Sequence, residues 1–257
     1  MARFRLLLEY DGSGFYGWQR QPDGLTIQGA LEEALGSLCG HAVQVTGSGR
    51  TDSGVHALGQ VAHFDTSRPR SPEVYVRALN ALTPKRISIR SAEAVGEDFH
   101  ARFQATYREY HYRLLNRSTP SALDRNRVWH LSFPLDIQIM IEALSLLKGT
   151  HDFSAFRAAA CQAKSPIRTL YRGEIIQQGD ELRIILGANA FLQHMVRNIV
   201  GSLVLVGRGG WDLDRFQEVF ESRDRTQAAA TAPPVGLYLA RVTYGEVPWK
   251  DSVETSL

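Results

Sequence analysis

The chain has 257 residues, room for one large domain or two of ordinary size, with a core that needs neither disulfides nor metal. Hydrophobic residues make up 44% and charged residues 22%, the balance of a soluble globular protein. A formal net charge of +2 excludes a global basic field, and no apolar run reaches the ~18 residues that spanning a membrane requires.

Residues 3–10 alternate, with Phe4, Leu6, Leu8 and Tyr10 on one face and Arg3, Arg5 and Glu9 opposite, so they read as a strand. A glycine-rich loop follows over residues 11–24. Thr26 is placed as an N-cap, and Leu31, Ala34, Leu35 and Leu38 then fall at helical spacing. Val43 and Val45 mark a short strand, and another runs over residues 60–65. Ser71-Pro72 pairs a cap with a proline at the first helical position, for a helix to about Leu82. A strand over residues 87–95 closes this half.

The second half opens with a strand over residues 106–115 and a helix over 136–147. A hairpin pairs 172–177 with 182–187 across Gly179-Asp180. Helices over 195–206 and 213–221 follow, then a strand over 237–244. Ala228-Ala229-Ala230 and Pro233-Pro234 read as a helix end and a loop, and the tail after Pro248 as frayed. Each half approximates β-α-β-β-α-β, the split-βαβ order. The expected fold class is α+β: two split-βαβ-like domains, 1–104 and 105–257, with mostly antiparallel sheets flanked by helices around a central RNA-binding cleft.

The two cysteines, Cys39 and Cys161, form no CxxC and fit a reducing compartment. The N-terminal apolar run ends at Glu9, short for a signal-peptide core, and the expected location is cytoplasmic. Of 29 basic residues only four are lysines. Arginine gives planar, bidentate contacts to phosphate and stacks on bases, although genomic composition accounts for such a bias equally well.

The densest chemical signal is residues 47–64, GSGRTDSGVHALGQVAHF. Four glycines within 13 residues permit positive φ and close approach of a ligand, and Arg50, Thr51 and Asp52 stand among them. Spacing alone fits a turn whose aspartate caps backbone N–H groups better than it fits a ligand site. The loop lacks the Gly-Lys-Ser/Thr ending of a phosphate-binding P-loop. His56, His63, His100, His111, His151 and His194 show no metal-ligand spacing, so no metal is expected.

The segment Gly49-Arg50-Thr51-Asp52-Ser53-Gly54-Val55-His56-Ala57 closely resembles the active-site motif of the tRNA pseudouridine synthase A family. Further matches are Glu9-Tyr10-Asp11-Gly12, Gly17-Trp18-Gln19-Arg20-Gln21, Asp98-Phe99-His100-Ala101-Arg102-Phe103 and Tyr110-His111-Tyr112. Residues 189–198 and Gly236-Leu237-Tyr238-Leu239 extend the resemblance from about Phe4 to Tyr244. The family motif often has alanine where this chain has Ser53.

The resemblance implies an enzyme that isomerises uridine to pseudouridine at positions 38 to 40 of the tRNA anticodon stem-loop. It implies no cofactor, a homodimer, and a target base flipped out of its stack. Asp52 matches the essential aspartate, which attacks the sugar or the base, or stabilises charge during glycosidic cleavage. A carboxylate suits the positive charge that develops on ribose. By the same resemblance Arg197 is the aspartate's cationic partner, Tyr110 stacks on the base and serves proton transfer, and Leu237 packs against the base. Arg50 fills the gap left by the flipped nucleotide, whose unstacking costs a few kcal/mol. Arg20 contacts the RNA backbone, positioning it without reading sequence. His194 supports packing or hydrogen bonding near Arg197, and Tyr112 remains a core residue.

Two other classes compete. A non-catalytic RNA-binding module would use exposed aromatics on the sheet, but has no need of a carboxylate facing phosphates. A nucleotide-binding protein would use the glycine loop, but lacks the phosphate-binding lysine.

Overall fold

The structure, a computed structural model, describes residues 1–246; the tail after Pro248 lies outside the described residues. Elements run β1 (Ala2–Tyr10), α1 (Ile27–Cys39), β2 (Val45–Gly47), β3 (His56–Thr66), α2 (Pro72–Leu82) and β4 (Ile87–Val95). Then come β5 (Ala105–Asn116), β6 (Trp129–Leu131), α3 (Ile137–Ser145), β7 (Gly149–Asp152), β8 (Ile167–Gln178) and β9 (Glu181–Ala188). The helices α4 (Met195–Gly207) and α5 (Leu213–Ser222) and the strand β10 (Leu237–Tyr244) complete the order. The chain is α+β, its strands mostly antiparallel and flanked by helices, in two compact units.

The first unit holds Met1–Thr106 together with Tyr238–Gly245. Its strands are ordered β4-β1-β3-β10, with β2 also on β3. β1 pairs antiparallel with β3 and β4, while β10 lies parallel to β3, Tyr238 opposite His56. The alternation of β1 has its expected consequence: Phe4, Leu6, Leu8 and Tyr10 are all buried. Phe4 sits directly across from Phe64, their rings 5.7 Å apart, and Tyr75 of α2 meets Phe64 edge-on at 5.1 Å. Burying each such ring contributes roughly 1.5–3 kcal/mol. Thr26 caps α1 through its side-chain oxygen, which accepts the Gly29 N–H at 3.2 Å. Ser71 holds the N-cap position of α2, but its hydroxyl makes no cap bond; Pro72 supplies the start signal.

The second unit is described over Tyr107–Leu237. Its strands are ordered β5-β9-β8-β7, antiparallel throughout, with β6 parallel to the end of β5. Asp136 caps α3 by accepting from the N–H groups of Gln138 and Ile139. α4 is apolar on nearly every side and correspondingly buried. Phe216 and Phe220 of α5 close over Phe153 and Phe156.

Several expectations need correction. β3 begins at His56, not Gln60, because it is buried on both faces and so shows no alternation. β6 and β7, three and four residues long, exist through pairing rather than through any pattern of their own. The second half repeats the β-α-β-β-α-β order as β5-α3-β8-β9-α4-β10 with β6, β7 and α5 inserted, and a single division near Gln104 misses that Tyr238–Gly245 returns to the first unit, where β10 pairs with β3. α5 stops at Ser222, where Arg223 turns left-handed at φ 56°, and Ala228 ends not that helix but a short 3-10 turn over Arg225–Gln227, its N–H donating to the Arg225 carbonyl. Both cysteines are buried and unbonded. Among the described residues no helix is long and apolar enough to cross a membrane.

Candidate active site

The loop between β2 and β3 carries Arg50 and Asp52, and a buried polar network holds it from beneath. Gln60, wholly buried on β3, uses both ends of its amide. Its nitrogen donates to the Gly49 carbonyl at 3.0 Å and to the Tyr10 hydroxyl at 3.4 Å. Its oxygen accepts the Ser48 hydroxyl at 2.7 Å. Tyr10 Oη in turn lies 2.8 Å from Thr51 Oγ1. The main chain of the loop is therefore fixed on both sides of Arg50. Buried polar groups in low dielectric keep such networks only when satisfied, so the arrangement is rigid.

The glycine-rich loop over residues 11–24 packs against the same segment. Trp18 N–H donates to the Thr51 carbonyl at 3.0 Å. Gly17 adopts φ +87°, and a Cβ there would stand 2.7 Å from that carbonyl oxygen, so the close approach admits only glycine. His56, at the far end of the loop, accepts the Gly12 N–H through Nδ1 at 3.1 Å and stacks on Tyr238 at 4.7 Å. Ser53 donates its hydroxyl to the Phe15 carbonyl at 3.0 Å and so adds a tie between the two loops.

Above this frame Asp52 is half-buried, its carbonyl closing a turn with Val55 N–H at 3.1 Å, while Arg50 is exposed. Arg20 is also exposed and pairs with Glu32 at 3.1 Å. A surface pair of this kind is worth at most ~1 kcal/mol, so it leaves the guanidinium available to another anion.

The other predicted residues lie in the second unit. Tyr110, on β5, is nearly buried and meets Phe191 edge-on at 5.0 Å. Tyr112 is a core residue whose hydroxyl donates to the Pro233 carbonyl at 2.7 Å; burial pushes its ionisation far up. Arg197, in the first turn of α4, donates Nε to the Ala232 carbonyl at 2.7 Å, and Ala232 N–H returns a bond to the Arg197 carbonyl at 3.1 Å. This tie fixes the approach to Leu237, which is buried at the start of β10. His194 is the N-cap of α4 in a left-handed conformation, φ 63°, and its side chain makes no cap bond; its carbonyl accepts the Asn198 N–H.

Sequence reasoning missed the supports. Gln60 and Ser48 carry a signal only in hindsight, as polar residues in an apolar stretch. On β5, next to Tyr110, Glu109 is buried and accepts from Tyr107 Oη, His111 Nε2 and Arg172 Nη1 at 2.7, 2.9 and 3.0 Å. Burial, the largest influence, would raise its pKa; these donors outweigh it and hold the carboxyl at about 2. Among the described residues no group of three or more His, Cys, Asp or Glu side chains is placed to hold a metal ion.

A family model described as tRNA pseudouridine synthase matches residues 7–104 and 143–245. The chain belongs to the tRNA pseudouridine synthase family. Three relatives bearing the name tRNA pseudouridine synthase A align over 95% of this chain. That of Rhodospirillum rubrum is 54% identical and covered over 88% of its length. Those of Paramagnetospirillum magneticum and Xanthobacter autotrophicus are 50% and 49% identical, covered over 96% and 100%. A solved structure, the Cbf5-Nop10-Gar1 complex, aligns over 95% of this chain and 59% of that chain at 13% identity, with a TM-score of 0.37 too low to bear on the fold. Within the spans matched to the tRNA pseudouridine synthase model fall Arg20, Arg50, Asp52, Gln60, Arg197 and Leu237; Tyr110 falls between them.

Proposed function

We propose that this chain isomerises uridine to pseudouridine in tRNA, at positions 38 to 40 of the anticodon stem-loop, with Asp52 as the catalytic residue. The observation that carries the reading is the Asp52 loop itself. A half-buried carboxylate follows an exposed arginine by two residues, on a main chain clamped by wholly buried Gln60. Electrostatic catalysis depends on such preorganisation, because a group already in place need not reorganise as charge develops.

The reaction breaks the bond between ribose C1′ and uracil N1 and forms one between C1′ and C5. The C5 hydrogen leaves as a proton and N1 gains one, so the product is an isomer and no oxidant, reductant or cofactor enters. Positive charge grows on the ribose as the first bond breaks, and the Asp52 carboxylate answers it. Arg50, exposed beside it, takes the space vacated by the flipped nucleotide. Arg20 holds phosphate. Tyr110, Arg197 and Leu237 enter on the family resemblance, as base-stacking and proton-transfer group, counter-charge and apolar wall. The acting form is a homodimer in the cytoplasm, which assembles arginines from two copies into one basic surface.

The test is tritium release from unmodified tRNA carrying C5-labelled uridine, with wild type and Asp52→Asn in parallel. Release by wild type alone supports the reading. Tight tRNA binding with no release by either protein replaces it with a binding module.

A further inference from the structure

The first unit carries a second exposed feature, outside the Asp52 loop. Phe103 is 77% exposed, more than any other aromatic residue among the described ones. Its ring rests on the His100 imidazole, centroids 4.3 Å apart and planes 30° off parallel. His100 lies edge-on to buried His63 at 4.9 Å. The Arg102 guanidinium stands 5.9 Å from the Phe103 ring centre.

The segment holding this ring is pinned throughout. His100 Nδ1 accepts from the N–H groups of Arg102 and Phe103 at 3.2 and 3.3 Å. Gln104 closes the turn, accepting from His100 N–H and donating to the Asp98 carbonyl. Ala101, wholly buried, anchors it below: its N–H donates to His63 Nδ1 at 3.2 Å and its carbonyl accepts the Tyr244 hydroxyl at 2.7 Å. A large apolar ring is thus held in solvent by a rigid turn. Folding gains little from exposing it, and a flat ring backed by an imidazole with a cation over it, already ordered, suits stacking on a nucleobase.

We infer that Phe103 is a stacking platform for an unpaired nucleotide of the RNA substrate, distinct from the uridine that enters the Asp52 loop. The inference rests on the tRNA substrate proposed above. The contacts that hold Phe103 run through His100, Ala101, His63 and Tyr244, none of which belongs to the Asp52 loop. Paired bases offer no free face, so the nucleotide belongs to a loop or an end.

The experiment compares wild type, Phe103→Ala, Phe103→Leu and Phe103→Trp for tRNA dissociation constant, turnover at saturating tRNA, and oligomeric mass. The expected result is about tenfold weaker binding for alanine and leucine, retained binding for tryptophan, turnover within about twofold of wild type, and unchanged mass. Wild-type affinity in the alanine variant overturns the inference. So does wild-type affinity in the leucine variant, since leucine keeps apolar area without a flat face. A change of mass on losing the ring overturns it too, by assigning this face to a second copy of the chain. Wild-type turnover separates the two readings: failure of the platform with turnover intact leaves the isomerase standing, whereas a wild type that releases no tritium removes both.

Discussion

The Gln60 side-chain nitrogen donates to the Gly49 carbonyl at 3.0 Å, so a strand residue fixes the main chain one step before Arg50. Replacing Gln60 by leucine takes this donor from the Gly49 carbonyl in a dry site, at a cost of ~1–3 kcal/mol for a buried group left unsatisfied. The loop then loses its clamp. The expected outcome is turnover at saturating tRNA at least tenfold lower, with tRNA affinity within about threefold of wild type, measured well below the melting temperature. A variant that lowers affinity and turnover in step would assign Gln60 a merely structural role.

Asp52→Asn removes charge while keeping shape, and the clamp on the loop, from Gln60, Tyr10 and Trp18 to Gly49 and Thr51, does not depend on that charge. Turnover is expected to vanish, with tRNA affinity within several-fold of wild type. Tritium release and filter binding read the two quantities separately, and wild-type release by the variant would sink the assignment.

Gly17→Ala tests the frame from the other side. Its φ of +87° strains any L side chain, and the added methyl would press on the Thr51 carbonyl. The expected effect is a loss of more than ~1 kcal/mol in urea unfolding together with reduced turnover. If the variant is as stable as wild type, the two loops are not packed as described.

How much of this was legible in the sequence follows from the range of the interactions. β1, α1, β4 and the β8–β9 hairpin carry their period or turn chemistry locally, and each was readable. β3 was truncated in the reading because burial on both faces erases alternation. The partner of β10, β3, shares its unit but lies far earlier in the chain, and no local pattern encodes the pairing. At the candidate site, glycine density and family resemblance single out Asp52 and Arg50. They do not single out the supports, since Tyr10 reaches Thr51 across 41 residues and Gln60 reaches Tyr10 across 50.

Arg197→Ala breaks the Nε bond to the Ala232 carbonyl, a charge-assisted interaction worth ~1.5–3 kcal/mol. A fall in melting temperature and a fall in turnover are both expected. Arg197→Lys restores charge without the planar Nε donor and should recover part of the activity and little of the stability. Full stability in the alanine variant would show that this bond contributes nothing.

Stability should fall with pH in a window set by His63. Burial, with the charges of Arg3 and His100, pushes this imidazole down from 6.5 to about 4, against the opposing pull of Asp65. The unfolded chain therefore binds a proton at higher pH than the folded one. The stability that neutral His63 preserves is complete above pH 6.5 and is lost progressively as pH falls toward 4. Each unit in that window corresponds to ~1.4 kcal/mol, so about 2 kcal/mol should disappear between pH 7 and pH 5. Glu109, held at about 2, adds its own loss only below its ordinary value of 4.5, outside this window. His63→Gln keeps an acceptor for Ala101 N–H and cannot titrate. Urea unfolding of that variant should lose about 2 kcal/mol less than wild type over the same interval, and an identical loss in both proteins would remove His63 as the cause.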